Sequence, residues 1–230
     1  MTFASPFSRV IQRPFGGVPS AGGGWWDLDG AIASCVAAYA PKGAADYATS
    51  KVNLVLNAAY DCVDGTAYPT WNTATGWTFN GTTQFLSPNL YPTESMTAIV
   101  RFANATGNGS SGYPALFGSS ESNRNFYIHP RSLINRRYYL HGADGQGYIT
   151  GSLTSGVIAL AGNTPYLNGS AETLTSGTIG GWVGTSTVKM TIGKRSNGAF
   201  FAGDIIAIAF YSATITAPQV AALTTAMNAL

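Results

Sequence analysis

The chain has 230 residues, a length that a single large β domain commonly occupies. Only 10% of them are charged, against roughly 25% in ordinary soluble proteins, while Gly (28), Tyr (12), Phe (11) and Pro (11) are plentiful. The formal net charge of +2 provides no long-range positive field, which argues against a nucleic-acid binder. No apolar run approaches the ~20 residues of a membrane span, so membrane insertion is not expected.

Residues 1–24 stand apart. Phe3, Phe7, Val10, Ile11 and Phe15 are interspersed with Pro6, Pro14 and Pro19, then the run Gly22-Gly23-Gly24 follows. The prolines oppose both helix and hairpin. Together with Arg9 and Arg13 these residues read as an extended arm that docks on a partner, or equally as an arm folded back on its own domain. No basic opening followed by an apolar block is visible, so the chain is expected to fold in a cytosol.

From Trp25 onward, short apolar segments alternate with Gly, Asn, Ser and Thr at the spacing of antiparallel strands. Strands are expected near 33–39, 77–80, 84–86, 96–102, 115–117, 125–129 and 137–141, then near 148–152, 157–161, 164–167, 188–192 and 203–211. Asn80-Gly81 and Asn168-Gly169 are tight-turn signals. The run 205–210 is apolar on both alternation phases and should be covered on both faces. A short helical turn is expected near 43–50. A final helix over 218–230 has Thr216 as N-cap and Val220, Leu223, Met227 and Leu230 along one face. Cys35 and Cys62 read as buried thiols, with a bridge as the alternative.

These residues resemble a family. The segment 76–86, Gly-Trp-Thr-Phe-Asn-Gly-Thr-Thr-Gln-Phe-Leu, is similar to an early hairpin of laminin-G-like jelly rolls in the concanavalin A-like lectin/glucanase superfamily. Tyr166-Leu167-Asn168-Gly169, Ile192-Gly193 and Phe201-Ala202-Gly203-Asp204-Ile205 resemble later elements in the same order. The resemblance implies an all-β, antiparallel two-sheet jelly-roll sandwich over 25–230, with the arm before it and a short helix at its end. The stretch 31–43 and the arm also resemble minor structural proteins of tailed bacteriophages. That resemblance implies a virion protein assembled in a bacterial cytoplasm, attached to capsid or tail through the arm and repeated as a homo-oligomer such as a trimer.

Candidate chemistry is sparse. Retaining glycosidases need two carboxyl groups about 5–5.5 Å apart, and the ten acids lack the Glu-x-Asp-x-x-Glu strand that glucanases of the resembled superfamily use. His129 and His141 stand near no nucleophile elbow, and neither a metal site nor a cofactor is implied. The expectation is therefore a protein without catalysis. A glycan-binding surface remains, built from Tyr113, Arg124, Asn125, Arg137, Tyr139, His141, Tyr148 and Trp182, with host-surface carbohydrate as its ligand. The rival readings are a bacterial carbohydrate-binding module and a cryptic glycosidase.

Overall fold

The computed structural model describes residues 24–55, 57–107, 114–132, 136–142 and 146–230. Among these lie fifteen strands: β1 (Cys35–Tyr39), β2 (Val63–Asp64), β3 (Thr70–Asn72), β4 (Gly76–Asn80), β5 (Leu86–Ser87), β6 (Thr97–Thr106), β7 (Phe117–Ser119) and β8 (Asn125–His129); then β9 (Arg136–Gly142), β10 (Gly147–Thr150), β11 (Gly156–Ala161), β12 (Thr164–Leu167), β13 (Ser170–Ala171), β14 (Thr191–Ile192) and β15 (Ala202–Tyr211). Two α-helices, α1 (Tyr47–Ser50) and α2 (Ala217–Asn228), complete the frame. The arm expected over 1–24, with Phe3, Phe7, Arg9, Val10, Ile11, Arg13 and Phe15, lies outside the described residues except for Gly24.

One sheet has the order β13-β12-β11-β6-β15-β4-β3, with β1 also paired to β15. The other has the order β10-β9-β8-β7-β14-β5-β2. Every ladder between these strands is antiparallel. The sheets share one core, in which Phe117 of the second sheet meets Phe210 of the first edge to face at 5.6 Å. Phe79 and Phe102 both pack on Phe201 in the same core. Each such buried aromatic contributes roughly 1.5–3 kcal/mol.

Strand β15 explains its own sequence. Ile205, Ile208 and Phe210 face the shared core, while Ala207, Ala209 and Tyr211 belong to a second cluster on the opposite face. A register shift between Ile205 and Ala207 breaks the period of two, so that residues three apart face one way. A second shift lies at Gly203, whose φ of +142° and whose missing Cβ, 2.9 Å from the Ala103 and Asn104 carbonyl oxygens, leave no room for a side chain. Helix α2 covers the opposite face with Val220, Leu223 and Met227. Small residues such as Ala159, Ala161, Ala207 and Ala209 beneath it allow close approach. The Thr216 amide donates to Gln219 Oε1 at 2.8 Å at the helix start, and Arg101 Nη1 donates to the Met227 carbonyl at 2.5 Å at its end.

Asn80-Gly81 departs from the expected hairpin. Strand β4 pairs with β3 and β15, whereas β5 lies in the other sheet, so the turn carries the chain between sheets. Asn80 holds it by accepting the amides of Thr82 and Thr83, both at 3.0 Å. Asn168-Gly169 does close a hairpin, between β12 and β13, with both residues at positive φ. Strands β2, β3 and β13 were not expected from the sequence. Cys35 and Cys62 are free and buried.

Candidate functional site

The site begins where β9 ends. Gly142 has φ +88°, and a Cβ there would stand 2.1 Å from the Gly180 carbonyl oxygen and 2.5 Å from the Trp182 nitrogen. Only glycine lets the returning segment lie this close. The Gly180 amide donates to the His141 carbonyl at 2.8 Å, which fixes that segment over β9. The Trp182 indole then rests against His141, with ring centres 5.2 Å apart and planes tilted by 34°, and its Nε1 donates to the Gly184 carbonyl at 2.7 Å. His141 is itself buried and meets Phe126 of the core edge-on.

Glu121 ties down the far end of the same segment. Its carboxylate accepts from the Thr187 amide at 2.9 Å, Thr187 Oγ1 at 2.7 Å and Ser186 Oγ at 3.0 Å, and pairs with Arg124 at 2.8 Å. The Thr187 bonds, aided by Ser186 and Arg124, hold the carboxyl down at about 2. The Val183 amide donates to the Asn123 carbonyl at 3.1 Å.

An open depression of about 640 Å³ lies in front of Trp182. Gly184 and Thr185 continue the tryptophan wall, and the segment Pro92–Ser95 provides another. The third is the tip of the β11–β12 hairpin, where Ala161 pairs with Thr164 around a two-residue turn with Gly162 at φ +53°. That turn places Asn163 at the cavity. The walls are tied together: Thr214 Oγ1 donates to the Ser95 carbonyl at 3.1 Å, and His141 Nε2 lies 3.3 Å from the Thr93 carbonyl oxygen. Burial lowers the His141 pKa, opposed by the Thr93 carbonyl, Asn163 and Glu94, so the ring is neutral at neutral pH. Among the described residues the lining thus offers an indole, a carboxamide, several hydroxyls and one charged group, Glu94.

Other acids are engaged elsewhere. Asp64 bonds Tyr47 and Lys51, and buried Asp204 accepts from Thr78 and Asn104. Among the described residues no three His, Cys, Asp or Glu side chains are grouped to hold a metal ion. Burial pushes the Cys35 thiol up to about 12 and raises Cys62 further, which leaves both inert as nucleophiles.

Of the residues proposed from sequence, Trp182 lines the cavity and His141 backs it. Arg124 stands behind Gly184, 3.3 Å from where a Cβ would be, and is paired with Glu121. Asn125 serves the framework, bonding Ser120 Oγ at 2.9 Å and the Gly142 carbonyl at 3.2 Å. Tyr148 is half-buried in β10 and outside the lining. Tyr113 and the side chains of Arg137 and Tyr139 lie outside the described residues. Sequence reasoning missed Glu94, Asn163 and the lining threonines because it searched for aromatics. The polar run Pro92-Thr93-Glu94-Ser95 ahead of β6 and the Gly162-Asn163 turn were the available signals.

No protein-family model matches the chain, and no curated protein does. Solved structures do resemble it. A Trypanosoma rangeli sialidase in complex with 2,3-difluoro-KDN aligns with a TM-score of 0.60 at 13% identity, over 85% of this chain and 33% of that one. The same sialidase in complex with sialic acid gives 0.59 at 12% identity over the same shares. Domain 4 of AbnA, a GH43 extracellular arabinanase from Geobacillus stearothermophilus, in complex with arabinotriose, gives 0.55 at 13% identity, over 83% of this chain and 98% of that one. The chain therefore spans about a third of the length of the sialidase chains.

These likenesses correct the sequence-based assignment. The structures named share an all-β fold with 83–85% of this chain, and the concanavalin A-like, laminin-G-like jelly roll is withdrawn as fold and family. The physical reason is that its motifs encode local chemistry. Asn-Gly supplies turn geometry and the Phe-x-Gly-x-Ile segment supplies a bulge, which antiparallel sheets of many families share. The bacteriophage assignment, the virion location, the capsid or tail partners and the repeated virion oligomer are withdrawn with it, since the similar structures come from a protozoan and a bacterial enzyme. The expectation of a protein without catalysis is withdrawn as well, because the fold occurs within glycosidase chains.

Proposed function

We propose that residues 25–230 form a carbohydrate-recognition domain of a carbohydrate-active protein. The observation that carries this reading is the Trp182 indole, held by His141 behind it and by Gly184 beside it at the wall of a depression otherwise lined by hydroxyl, amide and carboxylate groups. An aromatic face takes the C–H face of a sugar ring while polar groups meet its hydroxyls, and the volume lies in the range of small-ligand sites. The arabinotriose complex of the similar arabinanase domain supports the same class of ligand.

Screening the folded chain and Trp182→Ala on an immobilised glycan panel tests the reading. The chain is expected to retain one group of glycans, and the variant to lose about tenfold or more in affinity while keeping its circular-dichroism spectrum. Equal retention by both proteins would move the site away from Trp182.

Hydrolysis is the second reading, favoured by the likeness to glycosidase chains and by Glu94 in the cavity. Among the described residues the lining holds this one carboxylate, so a two-carboxyl mechanism would draw its second from beyond them. Release of reducing sugar from polysaccharides, abolished in Glu94→Gln, would establish it.

A further inference from the structure

We propose that the Trp182 depression selects uncharged, hydroxyl-rich sugars and discriminates against sugars bearing a carboxylate. The inference rests on the carbohydrate reading of that cavity and adds the ligand's charge class. Among the described residues Glu94 is the charged side chain of the lining, and no described Lys or Arg accompanies it there. Among the described residues no ion pair neutralises it. Recognition of a carboxylate generally uses a guanidinium fork or other cationic donors. The arginine behind this wall, Arg124, has its Nη2 committed to Glu121 at 2.8 Å, and that carboxylate cancels its charge. The other ionisable ring at the site, His141, is buried, and burial keeps it neutral.

An acidic sugar entering the cavity would therefore meet a like charge without a cation to offset it. A neutral sugar meets the opposite situation. Its hydroxyls can donate to the Glu94 carboxylate, the Asn163 carbonyl oxygen and Thr214 Oγ1 and accept from the Asn163 amide and the Thr185 hydroxyl, while its ring lies on the indole. Charge-assisted bonds from hydroxyl to carboxylate are the stronger kind, so Glu94 both attracts neutral sugars and repels acidic ones.

Calorimetric titration of the intact chain with arabinotriose, lactose and 3′-sialyllactose, repeated at 0.5 M NaCl, tests this. The expected result is binding of a neutral oligosaccharide and at least tenfold weaker binding of the sialylated form, a gap that narrows in high salt and in Glu94→Gln. Equal or tighter binding of sialyllactose would overturn the charge selection and leave carbohydrate recognition standing. Failure of these and a wider neutral panel to bind would overturn both. The comparison of neutral with acidic ligand on the unaltered chain decides the matter even if the variant folds poorly.

Discussion

Glu121 shows how one half-buried carboxylate organises the wall of the depression. It gathers Ser186, Thr187 and Arg124, and so holds the segment that carries Trp182 at both ends, with Gly180 bonded to β9 at the other. Replacing it by Gln removes the charge-assisted component and releases Arg124. Amide exchange at 183–187 is then expected to accelerate while β6 and β15 keep their protection, and unchanged exchange there would remove Glu121 from this role. Its lowered pKa means that the clamp is complete above about 4.5 and is lost as pH falls through about 2. The histidines act in a different window. Burial lowers His129 to about 3, with the Pro114 carbonyl opposing and Arg195 adding to the shift. The unfolded chain protonates this ring near 6.5 and the folded chain does not, so stability falls as pH drops below about 6.5. At pH 5 a ring of this kind costs about 2 kcal/mol. The melting temperature is expected to be lower at pH 5 than at pH 7.5, and His129→Gln to flatten that slope. A pH-independent melting temperature over this range would contradict the assignment.

At the scale of elements, α2 illustrates what periodicity conveys. Val220, Leu223 and Met227 recur at the helical period and form its buried face, over a patch that alanines keep low. Leu223 is fully buried, so Leu223→Ala is expected to cost roughly 2–5 kcal/mol in urea unfolding. A loss under about 1 kcal/mol would mean that the helix is loosely docked. The apolar run in β15 was legible for the same reason, since each alternation phase meets a different covering layer. Strands β2, β3 and β13 were not legible. They are two or three residues long and mostly exposed, so neither burial nor alternation leaves a pattern in them. Asn80-Gly81 misled because a turn signal states that the chain bends, and says nothing of which sheet receives the next strand.

For the whole molecule, the β character and the order of the longer strands could be read from alternation and turn residues, whereas family and function could not. Local turn and bulge chemistry recurs across unrelated β proteins. The site was half legible. Trp182 and His141 stood out by residue type, but Glu94, Asn163 and Thr214 come together through segments more than fifty residues apart, which no local pattern reports. Among the described residues both core clusters lie within 25–230, with Trp26 anchored by the Tyr211 hydroxyl at 3.0 Å. Removal of residues 1–22 is accordingly expected to leave the thermal midpoint within about 2 °C of the full chain, and a larger drop would show that the arm belongs to the fold.

The most direct test of carbohydrate recognition is a crystal structure of the chain soaked with an oligosaccharide retained on the glycan panel. The account predicts a sugar ring within about 4 Å of the Trp182 indole, with hydroxyls bonded to Glu94 or Asn163. A sugar bound on another face, with this depression holding only water, would contradict it.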